Sequence, residues 1–189
     1  PFLARSTQGT IDEARRLWAA VDRPNLMVKV PGTREGAPAV RALTADGVNV
    51  NITLLFAIEM YQAVGDAFLA GLEDRVAKGE DISRMASVAS FFVSRVDSSI
   101  DAKIDARVKA GDSESAALAT LRGRVAIANA RLAYQHYLEL IAGERWRSLA
   151  AKGARPQRLL WASTGTKDPT YSDVLYVEEL PGRDTVNTM

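Results

Sequence analysis

The chain has no cysteine and only one histidine. Without cysteine there is no disulfide framework, no thiolate nucleophile and no Cys-built zinc site, and no His or carboxylate cluster has metal-ligand spacing. A reducing cytoplasm is the expected location, although cysteine-free chains suit any compartment. An excess of charge of either sign is also missing. The 24 Lys and Arg against 23 Asp and Glu leave a net charge of +1, so nothing argues for nucleic acid or a membrane surface as partner. No apolar run approaches the roughly 20 residues that span a bilayer, and the opening Pro1-Phe2-Leu3-Ala4-Arg5 lacks the regions of a signal peptide. Repeats and low-complexity tracts are absent, and Gly165-Thr166-Lys167 lacks P-loop glycine spacing.

What is present is ordinary globular composition: 189 residues, 47% hydrophobic and 25% charged, enough for one domain over 1–189 with a substantial core. Thr10-Ile11-Asp12-Glu13 has capping-box form, with Thr10 as N-cap of a helix to about Ala20. A strand through Leu26–Val30 follows, then a helix from Arg34 to Ala45 closed by Asp46-Gly47, a strand at Val48–Leu54 and a helix from Ala57 to about Lys78. Ser87–Val96 reads as a Val- and Phe-rich strand. Helices are expected at Asp101–Ala110 and from Glu114 to about Ala151, broken near Gly143. Arg158–Ala162 reads as a strand, Ser163–Pro169 as a polar loop, Tyr171–Leu180 as a helix and Thr185–Thr188 as a last strand. Alternating strands and helices predict βα units and a parallel sheet.

Strand parity narrows the architecture. In Val48–Leu54 the even positions are apolar, whereas Asn49, Asn51 and Thr53 are polar. A doubly wound sheet, covered on both faces, would be apolar on both sides. A (β/α)₈ TIM barrel with a polar interior near its C-terminal mouth accounts for the alternation. Leu26, Val28 and Val30 share one face of their strand, which places Lys29 on the other beside Asn51 and Thr53. A lysine in a buried strand has its charged form disfavoured, leaving a nucleophilic amine able to form a Schiff base with a ketone without metal or organic cofactor. The plain alternative is a lysine whose head reaches water along its alkyl stem.

Four motifs carry a resemblance. Met27-Val28-Lys29-Val30-Pro31-Gly32-Thr33-Arg34-Glu35-Gly36, Gly47-Val48-Asn49-Val50-Asn51-Ile52-Thr53-Leu54-Leu55-Phe56, Ser90-Phe91-Phe92-Val93-Ser94-Arg95-Val96-Asp97 and Trp161-Ala162-Ser163-Thr164-Gly165-Thr166-Lys167 occur in this order over nearly the whole chain. Together they resemble the signature of the transaldolase family, in its bacterial and actinobacterial form. The resemblance implies a barrel enzyme of the pentose phosphate pathway that moves a dihydroxyacetone unit between sugar phosphates: sedoheptulose 7-phosphate, fructose 6-phosphate, glyceraldehyde 3-phosphate and erythrose 4-phosphate. It implies Lys29 as the Schiff-base residue, Thr53 as holder of a proton-relaying water and Asn51 as a partner of the donor's hydroxyls. Arg95 would clamp the phosphate, with Ser90 and Ser163 adding hydrogen bonds and Phe92 shaping the wall.

The sequence departs from that pattern in two places. Where many relatives carry an arginine two residues after the serine, this chain has Gly165, so the phosphate role is given to Lys167. The family's acid/base carboxylates lie on its first and third strands, upstream of the position of Pro1. The expectation is therefore strands 4 to 8 of the barrel with an enlarged helical insertion over Ser98–Ala154. A fructose 6-phosphate aldolase and an inactive barrel fragment are the alternatives, and a homodimer is left open. Simpler roles also stand: Arg95 in a strand-end salt bridge, Ser163 as a turn residue, Arg122-Gly123-Arg124 as a solvated helix face and His136 at a surface or between helices.

Overall fold

The structure is a computed structural model that describes residues 2–187; the last position of the strand expected at Thr185–Thr188 lies outside them. Among the described residues five parallel strands, β1 (Val28–Pro31), β2 (Val50–Leu55), β3 (Ser87–Phe92), β4 (Arg158–Ala162) and β5 (Val186–Asn187), pair strictly in chain order. A doubly wound sheet would reverse its order at a switch point. Here no reversal occurs, and crossovers of one hand place the connecting helices on one side. The result is an arc of a TIM barrel.

The two faces differ as parity requires. Val28, Val30, Val50, Ile52, Ala89, Phe91, Leu159 and Trp161 belong to the main core under the helices. On the opposite face Val88, Phe92, Leu160 and Ala162 form a second, smaller apolar cluster with Met27 and Val186. Lys29, Asn51 and Ser90 share this inner face by alternation, with Lys29 directly beside Asn51 in the register.

Helices α1 (Thr7–Val21), α2 (Gly36–Ala45) and α3 (Ile58–Ala77) flank the first strands. Ser6, not Thr10, caps α1: its Oγ accepts from Gly9 N–H, while the Thr10 hydroxyl donates to the Leu3 carbonyl. The helix expected from Arg34 begins at Gly36. This glycine is demanded by packing, because a Cβ there would lie 1.9 Å from the Pro31 carbonyl oxygen at the end of β1. Gly36→Ala is expected to cost about 2 kcal/mol by overpacking, measurable as a lower urea midpoint. The Asp46-Gly47 turn forms as expected, with Gly47 at φ 86°.

Between β3 and β4 the insertion consists of α4 (Ser94–Lys109), α5 (Ser115–Ala119), α6 (Val125–Ala142) and α7 (Glu144–Ala150). The break near Gly143 falls between α6 and α7 as expected. Arg122-Gly123-Arg124 is no helix face. It is the turn into α6, with Gly123 at φ 67° and Arg122 paired with Asp105 and Asp168. His136 lies between helices, edge-on to Tyr61 of α3 with ring centroids 5.6 Å apart. The helix expected at Tyr171–Leu180 shortens to α8 (Leu175–Glu179). No helix among the described residues is long and apolar enough to cross a membrane.

Candidate active site

A cavity of about 500 Å³ opens at the C-terminal ends of β1 and β2. The strands supply Lys29, Pro31, Thr53, Leu54 and Phe92, α4 supplies Arg95, and one side of α1 with its preceding turn closes the wall. Four residues singled out in the sequence, Lys29, Thr53, Phe92 and Arg95, thus meet in one cavity.

Lys29 is exposed, whereas its neighbours Val28 and Val30 are buried. The burial inferred from the apolar run therefore belongs to those two side chains, because parity aims Lys29 at the uncovered inner face. Among the described residues Lys29 has no hydrogen-bond or ion-pair partner. Thr53 Oγ1 is buried and makes no hydrogen bond within the described chain. Such a hydroxyl retains both donor and acceptor capacity for a molecule in the cavity.

Leu54 corrects the simple alternation of β2. The register with β3 shifts between Ile52 and Leu55, and Leu54 takes a φ of 63°. This bulge turns Leu55 into the core, where it is fully buried, and leaves Leu54 44% exposed at the cavity. A bulge beside a site re-aims side chains in this way.

Ser90 Oγ donates to Asn51 Oδ1 at 2.7 Å. With that oxygen engaged, the Asn51 amide nitrogen is left to donate on the inner face next to Lys29. Ser163, at φ 58°, follows β4 and shares a 2.8 Å hydroxyl contact with Ser94. Neither Ser90 nor Ser163 lines the Lys29 cavity.

Arg95 is not on a strand as expected. β3 ends at Phe92, and α4 starts at Ser94. The Arg95 guanidinium lies 5.2 Å from the centroid of the Phe92 ring and, among the described residues, has no carboxylate partner. The salt-bridge reading of Arg95 therefore has no support. Glu13, the carboxylate at the cavity, is engaged by Arg16 through two hydrogen bonds, and this pairing holds it below the usual carboxylate range. The unpaired side-chain charge in the cavity is thus cationic.

Lys167 is elsewhere. It borders a second cavity of about 440 Å³ with Asp97, Asp101, Asp105, Arg122 and Asp168, a carboxylate-rich setting unfavourable to a phosphate. Sequence reasoning missed this group. Buried Asp97 accepts from Ala126 N–H and Tyr176 OH, each at 2.8 Å, and Asp101 accepts from Tyr171 OH at 2.8 Å. The i,i+4 spacing of the two aspartates on α4 was the available signal. Phe56, whose ring packs on Phe92, was missed as well, although it follows a strand at the end where barrels keep their sites. Among the described residues no group of three or more His, Asp or Glu is placed to hold a metal ion.

A family model described as Transaldolase/Fructose-6-phosphate aldolase matches residues 1–189. The chain is 58% identical over 192 residues to transaldolase 2 of Nostoc punctiforme, 57% over 189 residues to the transaldolase of Saccharopolyspora erythraea and 55% over 191 residues to that of Trichodesmium erythraeum. Each comparison covers 100% of this chain and 50% of the relative. The chain thus spans about half the length of the curated relatives it matches.

Proposed function

This chain belongs to the transaldolase/fructose-6-phosphate aldolase family, and on that premise we propose that its protein transfers a dihydroxyacetone unit from a ketose phosphate to an aldose phosphate through a Schiff base on Lys29. Lys29 carries the reading: among the described residues it is an unpaired amine on the inner face of the barrel arc, in one cavity with a buried hydroxyl and a guanidinium that have no partner there either.

The Lys29 amine adds to the C2 carbonyl of fructose 6-phosphate or sedoheptulose 7-phosphate, and loss of water gives the protonated imine. The C4 hydroxyl then gives up its proton, relayed by a water bound at the unpartnered Thr53 hydroxyl, to the family's acid/base carboxylate in the whole protein, which returns it to the new alkoxide when the acceptor aldehyde has added. The C3–C4 bond breaks, with its electron pair drawn into the imine. An aldose phosphate leaves, and the three-carbon enamine stays on Lys29. Addition of the enamine to glyceraldehyde 3-phosphate or erythrose 4-phosphate, followed by hydrolysis, restores the amine. The electron sink is the lysine's own imine, so the cycle calls for no organic cofactor.

Asn51, fixed by Ser90, donates to the hydroxyls of the three-carbon unit. Arg95 meets the phosphate, where a planar guanidinium gives paired hydrogen bonds, and Phe92 forms the wall beneath it. Lys167 is left out of this assignment, since its neighbours are carboxylates. The substrates place the reaction in the pentose phosphate pathway, a cytoplasmic route.

Borohydride reduction of the full-length protein with fructose 6-phosphate should fix a three-carbon adduct on Lys29, read by peptide mass. An unmodified Lys29 would rule the reading out. Transfer to erythrose 4-phosphate, as opposed to release of free dihydroxyacetone, separates transferase from aldolase.

A further inference from the structure

Among the described residues Arg95 has no carboxylate to hold it where it faces the cavity, and its guanidinium needs some other anchor. The contacts form a chain. The guanidinium carbon of Arg95 is 5.2 Å from the Phe92 ring centroid, and the Phe92 ring is 5.3 Å from that of Phe56 at a 42° tilt. Phe56 occupies the turn between β2 and α3, directly after the Leu54 bulge, and is 37% exposed. Its carbonyl accepts from the Asn129 side-chain amide at 2.8 Å. Asn129 is on α6, in the helical insertion outside the sheet.

We propose that Phe56, held by Asn129, is a positioning residue that sets the selectivity of this site for phosphorylated sugars, acting on Arg95 through Phe92. The inference deepens the proposed function and rests on it for the identity of the sugar. The physical basis is rotamer restriction. A long cationic side chain at a helix N-terminus samples many rotamers, and a ring face attracts the cation to one place. The Phe92 ring offers that face steadily only while a second aromatic packs against it. An offset or tilted pair of rings at this spacing is a favourable contact. Phe56 is itself in a turn, where backbone freedom would loosen the stack, and the Asn129 hydrogen bond ties that turn to a rigid helix. The Leu54 bulge turns Leu55 into the core and leaves Phe56 on the mouth side. The helical insertion thereby gains a role at the site without touching the substrate.

The test compares fructose 6-phosphate with unphosphorylated fructose as donors in borohydride trapping on the full-length protein, alongside a phosphorus NMR titration with inorganic phosphate. In Phe56→Ala the preference for the phosphorylated donor, taken as the ratio of half-saturating concentrations, is expected to fall about tenfold. The dissociation constant for inorganic phosphate should rise by a similar factor. Phe56→Tyr, which keeps the ring, should restore both. Asn129→Ala, a milder change outside the core, should move both in the same direction by about threefold and covers the case in which Phe56→Ala fails to fold. An equal loss for both donors, or phosphate binding indifferent to both substitutions, overturns the inference. Phosphate binding that responds to Phe56 in a protein forming no adduct on Lys29 would retain the positioning role and reject the Schiff-base reading, so the two failures are distinguishable.

Discussion

Lys29→Arg is expected to lower turnover by about 10³-fold or more and to eliminate the borohydride adduct. Guanidinium stays protonated throughout the working pH range, so it keeps the charge of lysine but offers no free electron pair to a carbonyl. The substitution separates charge from nucleophilicity, which is the property in question. It should do so without disturbing the fold, since Lys29 is exposed while β1 is anchored by Val28 and Val30 in the core. Steady-state transfer assays and peptide mass analysis of the trapped protein measure both effects, with a thermal midpoint close to that of the parent as the control. Near-parental turnover in Lys29→Arg, or an adduct that moves to another lysine at full rate, would contradict the assignment.

Tyr176→Phe should cost about 3 kcal/mol of stability near neutral pH. Tyr176 is 1% exposed and its hydroxyl donates to Asp97, itself 1% exposed. Removing the hydroxyl leaves a buried carboxylate with the Ala126 N–H as its remaining donor. Burial pushes Asp97 above its ordinary value, and the hydrogen bonds from Ala126 and Tyr176 oppose that push. A carboxyl raised in the folded state contributes stability that is complete below its unfolded value and is lost as pH rises through the folded value. Without Tyr176 the folded value rises further, so the window of loss widens upward. The variant and its parent should therefore be closest in stability at acid pH and furthest apart above the Asp97 range. Urea unfolding of both at about pH 4 and about pH 8 tests this sign; a difference that shrinks as pH rises would refute it.

Much of the fold was legible because it rests on local periodicity. β4 was read to the residue at Arg158–Ala162, and the parity of β1 correctly put Val28 and Val30 opposite Lys29. Parity along β2 was sound up to Thr53 and failed at Leu54, because a bulge depends on pairing with β3 and leaves no period of its own. β3 was read too long for a related reason. Val93 and Val96 continue the β-branched pattern, and the α4 N-terminus has no side-chain cap to announce it. Arg95 consequently moved from a strand to the first turn of a helix. At α1 the cap fell to Ser6, whose Oγ meets the Gly9 N–H of the first helical turn, while the Thr10 hydroxyl is drawn back to the Leu3 carbonyl of the preceding turn.

The candidate site divides in the same way. Lys29 and Thr53 could be named from strand parity, and Phe92 and Arg95 from the resemblance of their motif, and all four line one cavity. The chain could not show that Lys167 faces carboxylates contributed by α4, nor that Ser163 is engaged with Ser94.

By itself the sequence determined the succession of elements, the two faces of the sheet and the family, because each depends on residue identity at fixed short spacing or on ordered motifs. Only the tertiary structure decided which of those residues are exposed, how the Phe56–Phe92–Arg95 stack assembles, and that Asp97 meets Tyr176 across 79 positions of chain. Exposure and distant pairing are set by what the other elements cover or leave open, and no local period encodes that.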